Sequence, residues 1–261
     1  MTTIIIKNPA ITVGTTTLGK TSVPQAEVDI NNNVATLAWW RADVGVNGAG
    51  SSFVWSDRKK RRRMTPFRSP YAPTPTANAI NGKTALVFAT GSAMGELADP
   101  DGQSLLPTSG DWTIATVCKC AAAANSAVFG NTLAIASAAY LLRRSDEKIE
   151  ARIAGSQVFI TPSAYTAGAA FLAVLSYEQA TRTLVLRVNG TQTNSVAVAA
   201  GTNNTESTLH LGAVGTTAAQ SAPMSLGAFA EAMVFSAALG NTANASLLAN
   251  VESYLKTRYA V

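Results

Sequence analysis

Leu184-Val185-Leu186-Arg187-Val188-Asn189-Gly190 is the stretch from which the fold can be read. Five β-prone residues run into Asn189-Gly190, a pair that supplies the positive φ angles of a two-residue type I′ turn, and a second β-prone run ends near Val198. This is a β-hairpin. Outward from it, similar runs bounded by Gly, Asn, Ser, Thr or Pro recur along the chain. They are Ala85 to Ala89, Trp112 to Cys118, Ala127 to Phe129, Lys148 to Ile153, Gln157 to Ile160, Ala170 to Tyr177, Thr208 to Leu211 and Leu226 to Phe235. About a dozen strands accompanied by one convincing helix predict two packed antiparallel sheets. The helix lies at the C-terminus, where Leu247, Leu248, Val251, Tyr254, Leu255 and Arg258 follow helical spacing and Asn241, Thr242 and Asn244 are available as caps.

Composition agrees with one large β domain. The 261 residues are 47% hydrophobic and only 13% charged, enough apolar material for a sizeable core. No apolar run is long enough to span a membrane. The opening Met1-Thr2-Thr3-Ile4-Ile5-Ile6-Lys7-Asn8-Pro9 lacks the basic and then sustained apolar regions of a secretory signal. Residues 1–33 contain no Trp, Phe or Tyr and read as an extended N-terminal arm, laid on a neighbour or mobile.

Three blocks near the start, Trp39-Trp40-Arg41-Ala42-Asp43, Phe53-Val54-Trp55-Ser56-Asp57 and Asn81-Gly82-Lys83-Thr84-Ala85-Leu86-Val87-Phe88, are answered late in the chain by Ala230-Glu231-Ala232-Met233-Val234-Phe235 and the helix through Tyr259. From about Leu37 to its end the chain resembles the concanavalin A-like lectin/glucanase superfamily in its laminin-G-like branch. The resemblance implies an all-β fold: a two-sheet antiparallel jelly-roll sandwich over residues 34–261, with the arm before it, a basic, Pro-rich loop at 57–76 and one short C-terminal helix. Function follows less directly, because this fold carries lectins, hydrolases and virion proteins alike.

The chemistry-bearing residues are few. His210 is the only histidine, which excludes a multi-imidazole metal cluster, and it reads first as a strand residue. Glycoside hydrolysis calls for two carboxylates facing one bond. Glu27-Val28-Asp29 lacks the closing Glu of the glucanase strand and falls in the arm, while Asp146, Lys148 and Glu150 read as a solvated charge ladder. No catalytic residues are assigned. Asp99 and Asp101, in Glu96-Leu97-Ala98-Asp99-Pro100-Asp101-Gly102, have the composition of a calcium site, and the resemblance adds to that; the same residues are ordinary turn chemistry. Otherwise no cofactor is expected. Cys118 and Cys120 fall on one face of a strand with parallel Cβ vectors, so buried free thiols are expected, with an intermolecular bridge as the alternative. Trp39, Trp40, Trp55 and Trp112 read mostly as core.

The net charge of +5 has a local origin. Arg58, Lys59, Lys60, Arg61, Arg62 and Arg63 are consecutive, and without those six the 20 basic residues fall to 14 against 15 acidic ones. Six adjacent cations repel one another unless solvent or an acidic neighbour screens them, and they lack the interleaved aromatics of a nucleic-acid groove. A partner-binding loop is expected. Together with the arm, the low charge and the missing catalytic set, this predicts a non-enzymatic structural protein of a bacteriophage virion, a capsid decoration or cement protein assembled in the host cytoplasm. Its expected partners are other virion proteins and itself, with no membrane and no nucleic acid. The alternative is a carbohydrate-binding adhesion module of a phage tail, fibre or baseplate contacting surface glycans; a glycan hydrolase ranks last.

Overall fold

The structure is a computed structural model. It describes residues 12–13, 16–17, 23–59, 62–66, 72–89, 94–96, 105, 110–120, 125–131, 139–143, 146, 148–153, 156–160, 168–199, 209–215, 220–221, 224 and 227–261.

Two antiparallel sheets face each other. In the first, the strand order is Gln192–Ala197, Thr183–Val188, Ala170–Glu178, Trp112–Lys119, Gly227–Phe235, Lys83–Phe88 and Thr74–Ile80. Gly227–Phe235 divides one of its edges: its start pairs with Lys83–Phe88 and its remainder with Thr36–Arg41. The second sheet runs Ser156–Ile160, Ile149–Ile153, Ala139–Arg143, Ser126–Asn131, Leu209–Leu211, Met94–Glu96, Arg63–Pro66, Val54–Ser56 and Val46–Asn47. The two packed antiparallel sheets expected from the strand rhythm, and the all-β jelly-roll sandwich that the resemblance implied, are thus what the chain forms.

Between the sheets lies one apolar cluster, with Trp40, Phe53, Trp55, Phe88, Trp112, Phe129, Phe171 and Phe229 among its members. A second cluster lies on the other face of the first sheet, beneath two helices: α1, Gln25–Asn32, and α2, Ala245–Tyr259. The first sheet is therefore covered on both sides, which explains why Gly227–Phe235 is buried at every position instead of alternating. All four tryptophans are buried, as expected. Cys118 and Cys120 are buried free thiols, and burial, followed by the hydrogen bond with Cys120, pushes the Cys118 thiol well up.

The hairpin departs from expectation by one residue. Asn189 and Gly190 both take positive φ, and the Thr191 N–H donates to Val188 O, as a type I′ turn requires. The ladder nevertheless resumes at Val188↔Gln192, leaving Thr191 outside the pairing. The cause is tertiary. The Asn189 N–H donates to Leu172 O and its Oδ1 accepts from Leu172 N, each at 2.9 Å, docking the turn on the neighbouring strand.

Residues 25–32 correct the expected arm. They form α1, which buries Ile30 and Glu27 and packs against α2. An isolated helix of eight residues, with Val28, Asp29, Asn31 and Asn32 among them, is too short and too poor in helix formers to stand alone, so packing decides it. The expected Pro-rich loop is also partly sheet: Pro66 ends the strand Arg63–Pro66, and Pro75 lies on Thr74–Ile80, the last strand of its sheet, where a missing N–H costs no ladder bond.

One glycine is demanded by close approach. Gly45 has φ +78°, and a Cβ there would sit 2.3 Å from Ser56 O. Gly45→Ala is expected to lose about 1–3 kcal/mol in a denaturant titration, the usual cost of one strained backbone position.

Candidate functional site

Charged groups gather where α1 and α2 meet the first sheet. Glu231 is the one acidic residue of the strand Gly227–Phe235 and is completely buried. Its carboxylate accepts hydrogen bonds from Trp39 Nε1 and from the Tyr259 hydroxyl at 2.6 Å, with the Tyr254 hydroxyl at 3.5 Å and Arg258 Nε at 3.6 Å. From Arg258 a chain of ion pairs leads back across the surface. Arg258 meets Asp43 at 2.6 Å, Asp43 meets Arg41 at 2.7 Å, Arg41 meets Glu27 at 2.9 Å and Glu27 meets Arg58 at 2.6 Å. The Arg58 guanidinium lies 4.4 Å from the centroid of the Trp39 ring, and Tyr254 meets the same indole edge-on. Elsewhere on α2, Glu252 grips Arg187 through two bonds of 2.7 and 3.0 Å.

Burial dominates the electrostatics of this cluster. It pushes the Glu231 carboxyl up to about 7, because the hydrogen bonds from Tyr259 and Trp39 and the charges of Arg41 and Arg258 offset only part of the desolvation. Burial, then the charge of Glu231, likewise raises the Tyr254 and Tyr259 hydroxyls far above their ordinary value. At Asp43 partial burial works the other way from its net result: the hydrogen bond and charge of Arg41, with the charge of Arg258, outweigh it and hold the carboxyl low. A carboxyl titrating near neutrality beside a tyrosine hydroxyl is an acid–base pair in chemical terms. Tyr259, however, is only 1% exposed, so no substrate atom reaches it in this conformation. The cluster's work is to fasten α2 and α1 to the sheet.

The basic run lies against this same region. Arg58 is committed to Glu27 and Trp39, Lys59 Nζ donates to Thr36 O, and Arg62 is buried, its N–H donating to Asp57 Oδ1 at 2.9 Å. Arg63 is exposed on its strand, and Lys60 and Arg61 lie outside the described residues, as do Asp99 and Asp101 of the calcium expectation. Among the described residues no three His, Cys, Asp or Glu side chains gather as a metal site, and no helix is long and apolar enough to cross a membrane.

The outer face of the second sheet is exposed only in part. Ile149, Ala151, Ile153 and Val158 point into the core, so strand alternation turns Glu150, Arg152, Gln157 and Phe159 outward. Arg152 stands opposite Gln157, and Glu150 opposite Phe159. Gln157 is exposed and Arg152 and Phe159 are half-buried, whereas Glu150 and His210, on the same face, are buried. The charge ladder expected at 146–150 is therefore broken. Lys148 and Asp146 pair at 3.1 Å in solvent while Glu150 sinks below the surface. Nothing in the order of residues singles out Arg152, and Glu231, Tyr254 and Tyr259 were visible only as parts of a fold motif. The one signal for Glu231 is a lone carboxylate in an otherwise apolar strand.

No protein-family model matches the chain, and no curated protein matches its sequence. Solved structures do match its fold, and the class they define is a β-sandwich shared with sialidases. Trypanosoma rangeli sialidase in complex with sialic acid superposes with a TM-score of 0.57 at 14% identity, over 85% of this chain and 34% of that one. The same sialidase in complex with the inhibitor DANA gives 0.56 at 14% identity, over 81% and 32%. A protein described as the HCR/D W1238A mutant gives 0.58 at 9% identity, over 85% and 53%. The chain thus spans about a third of the length of the sialidases it matches.

This likeness corrects the expected function. A non-enzymatic bacteriophage virion protein was expected from the arm, the basic loop, the low charge and the missing catalytic set, whereas the fold is one that glycan-hydrolysing proteins contain. Two carboxylates spaced along a strand are not required of every glycoside hydrolase, so their absence from the sequence does not exclude hydrolysis.

Proposed function

We propose that this chain is a glycan-recognising sandwich domain of concanavalin A-like type, acting in glycoside hydrolysis. The observation that carries the reading is the outer face of the second sheet, which bears Arg152, Gln157 and Phe159 while both described helices pack on the first sheet. Sugar sites combine an apolar ring with a few well-placed polar groups, and this face supplies both. Further support comes from the fold's likeness to sialidases, one of them holding sialic acid. The exposed residues Thr193, Asn194 and Ser195 extend the polar rim, since Asn194 Nδ2 donates to Phe159 O at 2.9 Å across the gap between the two sheets.

The test is a glycan array probed with the full chain, comparing sialylated with neutral oligosaccharides. Saturable binding to a defined set is expected. Uniform failure to bind would overturn the reading. Release of free sialic acid from 3′-sialyllactose by the chain would further locate the hydrolytic chemistry within these 261 residues.

A further inference from the structure

We infer that the end of α2 is a pH-operated latch: Glu231 holds the segment from Tyr254 to Val261 against the first sheet while protonated and lets it part from the sheet once ionised. The opened form uncovers Trp39 and Met233 of the apolar cluster beneath the helix, so apolar surface appears as pH rises.

The latch is a cluster of groups around one titratable centre. Glu231 is completely buried within Gly227–Phe235, and four side chains converge on its carboxylate. Tyr254, Arg258 and Tyr259 come from the end of α2, and Trp39 comes from Thr36–Arg41. Beyond them, Arg41 of that strand, Asp43 of the following turn, Glu27 of α1 and Arg58 are paired with one another and with Arg258. The adjacent strand Trp112–Lys119 sets Val117 opposite Glu231, with Lys119 beside Ala228 further along. Glu252 and Lys256 of α2 lie over the turn at Gly190 instead, where Glu252 grips Arg187.

That second attachment sets where the helix parts. The grip of Glu252 on Arg187 fastens the earlier part of α2 to Thr183–Val188 without involving Glu231. Past it, the polar ties to the rest of the fold among the described residues are those to Glu231, Arg258 to Asp43, and Asn81 Nδ2 donating to Tyr259 O at 2.6 Å and Ala260 O at 3.4 Å. A carboxylate sealed from water is costly to ionise, and the hydrogen bonds of Tyr259 and Trp39 with the charges of Arg41 and Arg258 offset only part of that cost. Lifting the helix end hydrates Glu231 and restores its ordinary acidity. Closure is therefore fully favoured below about pH 4.5, and that advantage is lost as pH rises through about 7. Segments held by few ties open in this way without the rest of the fold.

Amide hydrogen exchange along the full chain between pH 5 and pH 8, corrected for intrinsic exchange, tests the latch. Protection of Leu255 to Ala260 should fall roughly thirty- to hundredfold over that range and level off near pH 7. Val251 and Glu252 of α2 and the strand Trp112–Lys119 should keep theirs. Glu231→Gln cannot ionise and should show no such fall. Tyr259→Phe removes a hydrogen bond that favours the ionised form, so its fall should level off at a higher pH. A merely structural hydroxyl would instead lower protection equally at every pH. The latch is overturned if strand and helix end lose protection together, if the helix end is constant or better protected as pH rises, if Glu231→Gln shows the same fall, or if Tyr259→Phe leaves the profile unshifted. Should Glu231→Gln fail to fold, the Tyr259→Phe profile alone decides.

Discussion

Trp39→Ala is expected to destabilise the protein by about 3–5 kcal/mol through the cavity alone, and by about 1–3 kcal/mol more through the polar group it strands. Trp39 is completely buried between the first sheet and the helices. Its indole meets Tyr254 edge-on, supports the Arg58 guanidinium and donates to Glu231. Truncation therefore empties the space beneath α2 and removes a donor from a carboxylate that solvent cannot reach. Against a total stability of about 5–15 kcal/mol for a typical domain, that loss leaves little or nothing. Trp39→Phe separates the two contributions, since it keeps most of the volume and deletes only the donor. Denaturant unfolding of the two variants should place Trp39→Phe well above Trp39→Ala. Equal midpoints would mean that the hydrogen bond, not the packing, holds the helix.

The second large effect is a dependence on pH. Glu231 ordinarily titrates near 4.5 and is pushed up to about 7 in the fold. The folded protein therefore holds a proton that the unfolded chain releases. The stability contributed by this group is fully present below about pH 4.5 and is lost as pH rises through about 7. Over that window the loss is on the order of 3 kcal/mol. Asp43, held low by Arg41 and Arg258, acts in the opposite direction: its contribution is lost only as pH falls below the ordinary carboxylate range, outside the same window. Glu231→Gln replaces the protonated acid with a neutral group of similar shape that can still accept from Trp39 and Tyr259. The variant should melt near the natural protein at pH 5 and above it at pH 8. Parallel melting curves across that range would show that Glu231 is ionised throughout.

Strand positions were legible because their signals are local. β-prone runs and their Gly, Asn or Pro boundaries place Trp112–Lys119, Ala170–Glu178 and Thr183–Val188 within a residue or so. The spacing of Val251, Tyr254 and Leu255 likewise marks the buried stripe of α2, and Asn241 accepts from Ala243 N at 2.9 Å just ahead of the helix. Positive φ at Asn189 and Gly190 follows from residue type.

Other features depended on partners far away in the chain. Helix α1 exists because Ile30 finds an apolar floor and Glu27 finds Arg41 and Arg58, 14 and 31 positions on, and no periodicity in so short and mixed a segment announces that. The six-cation run was expected to be a partner-binding loop; within the chain, Arg58 and Lys59 are held against residues of α1, the following turn and Thr36–Arg41. Glu231 is made a weaker acid by burial, offset only in part by the hydrogen bond from a tyrosine 28 residues later. Alternation told which residues share a face, but which face would be covered was settled by where the two helices packed. That packing left Arg152, Gln157 and Phe159 on the outer face of the sheet that carries neither described helix, a placement that no order of residues encodes locally.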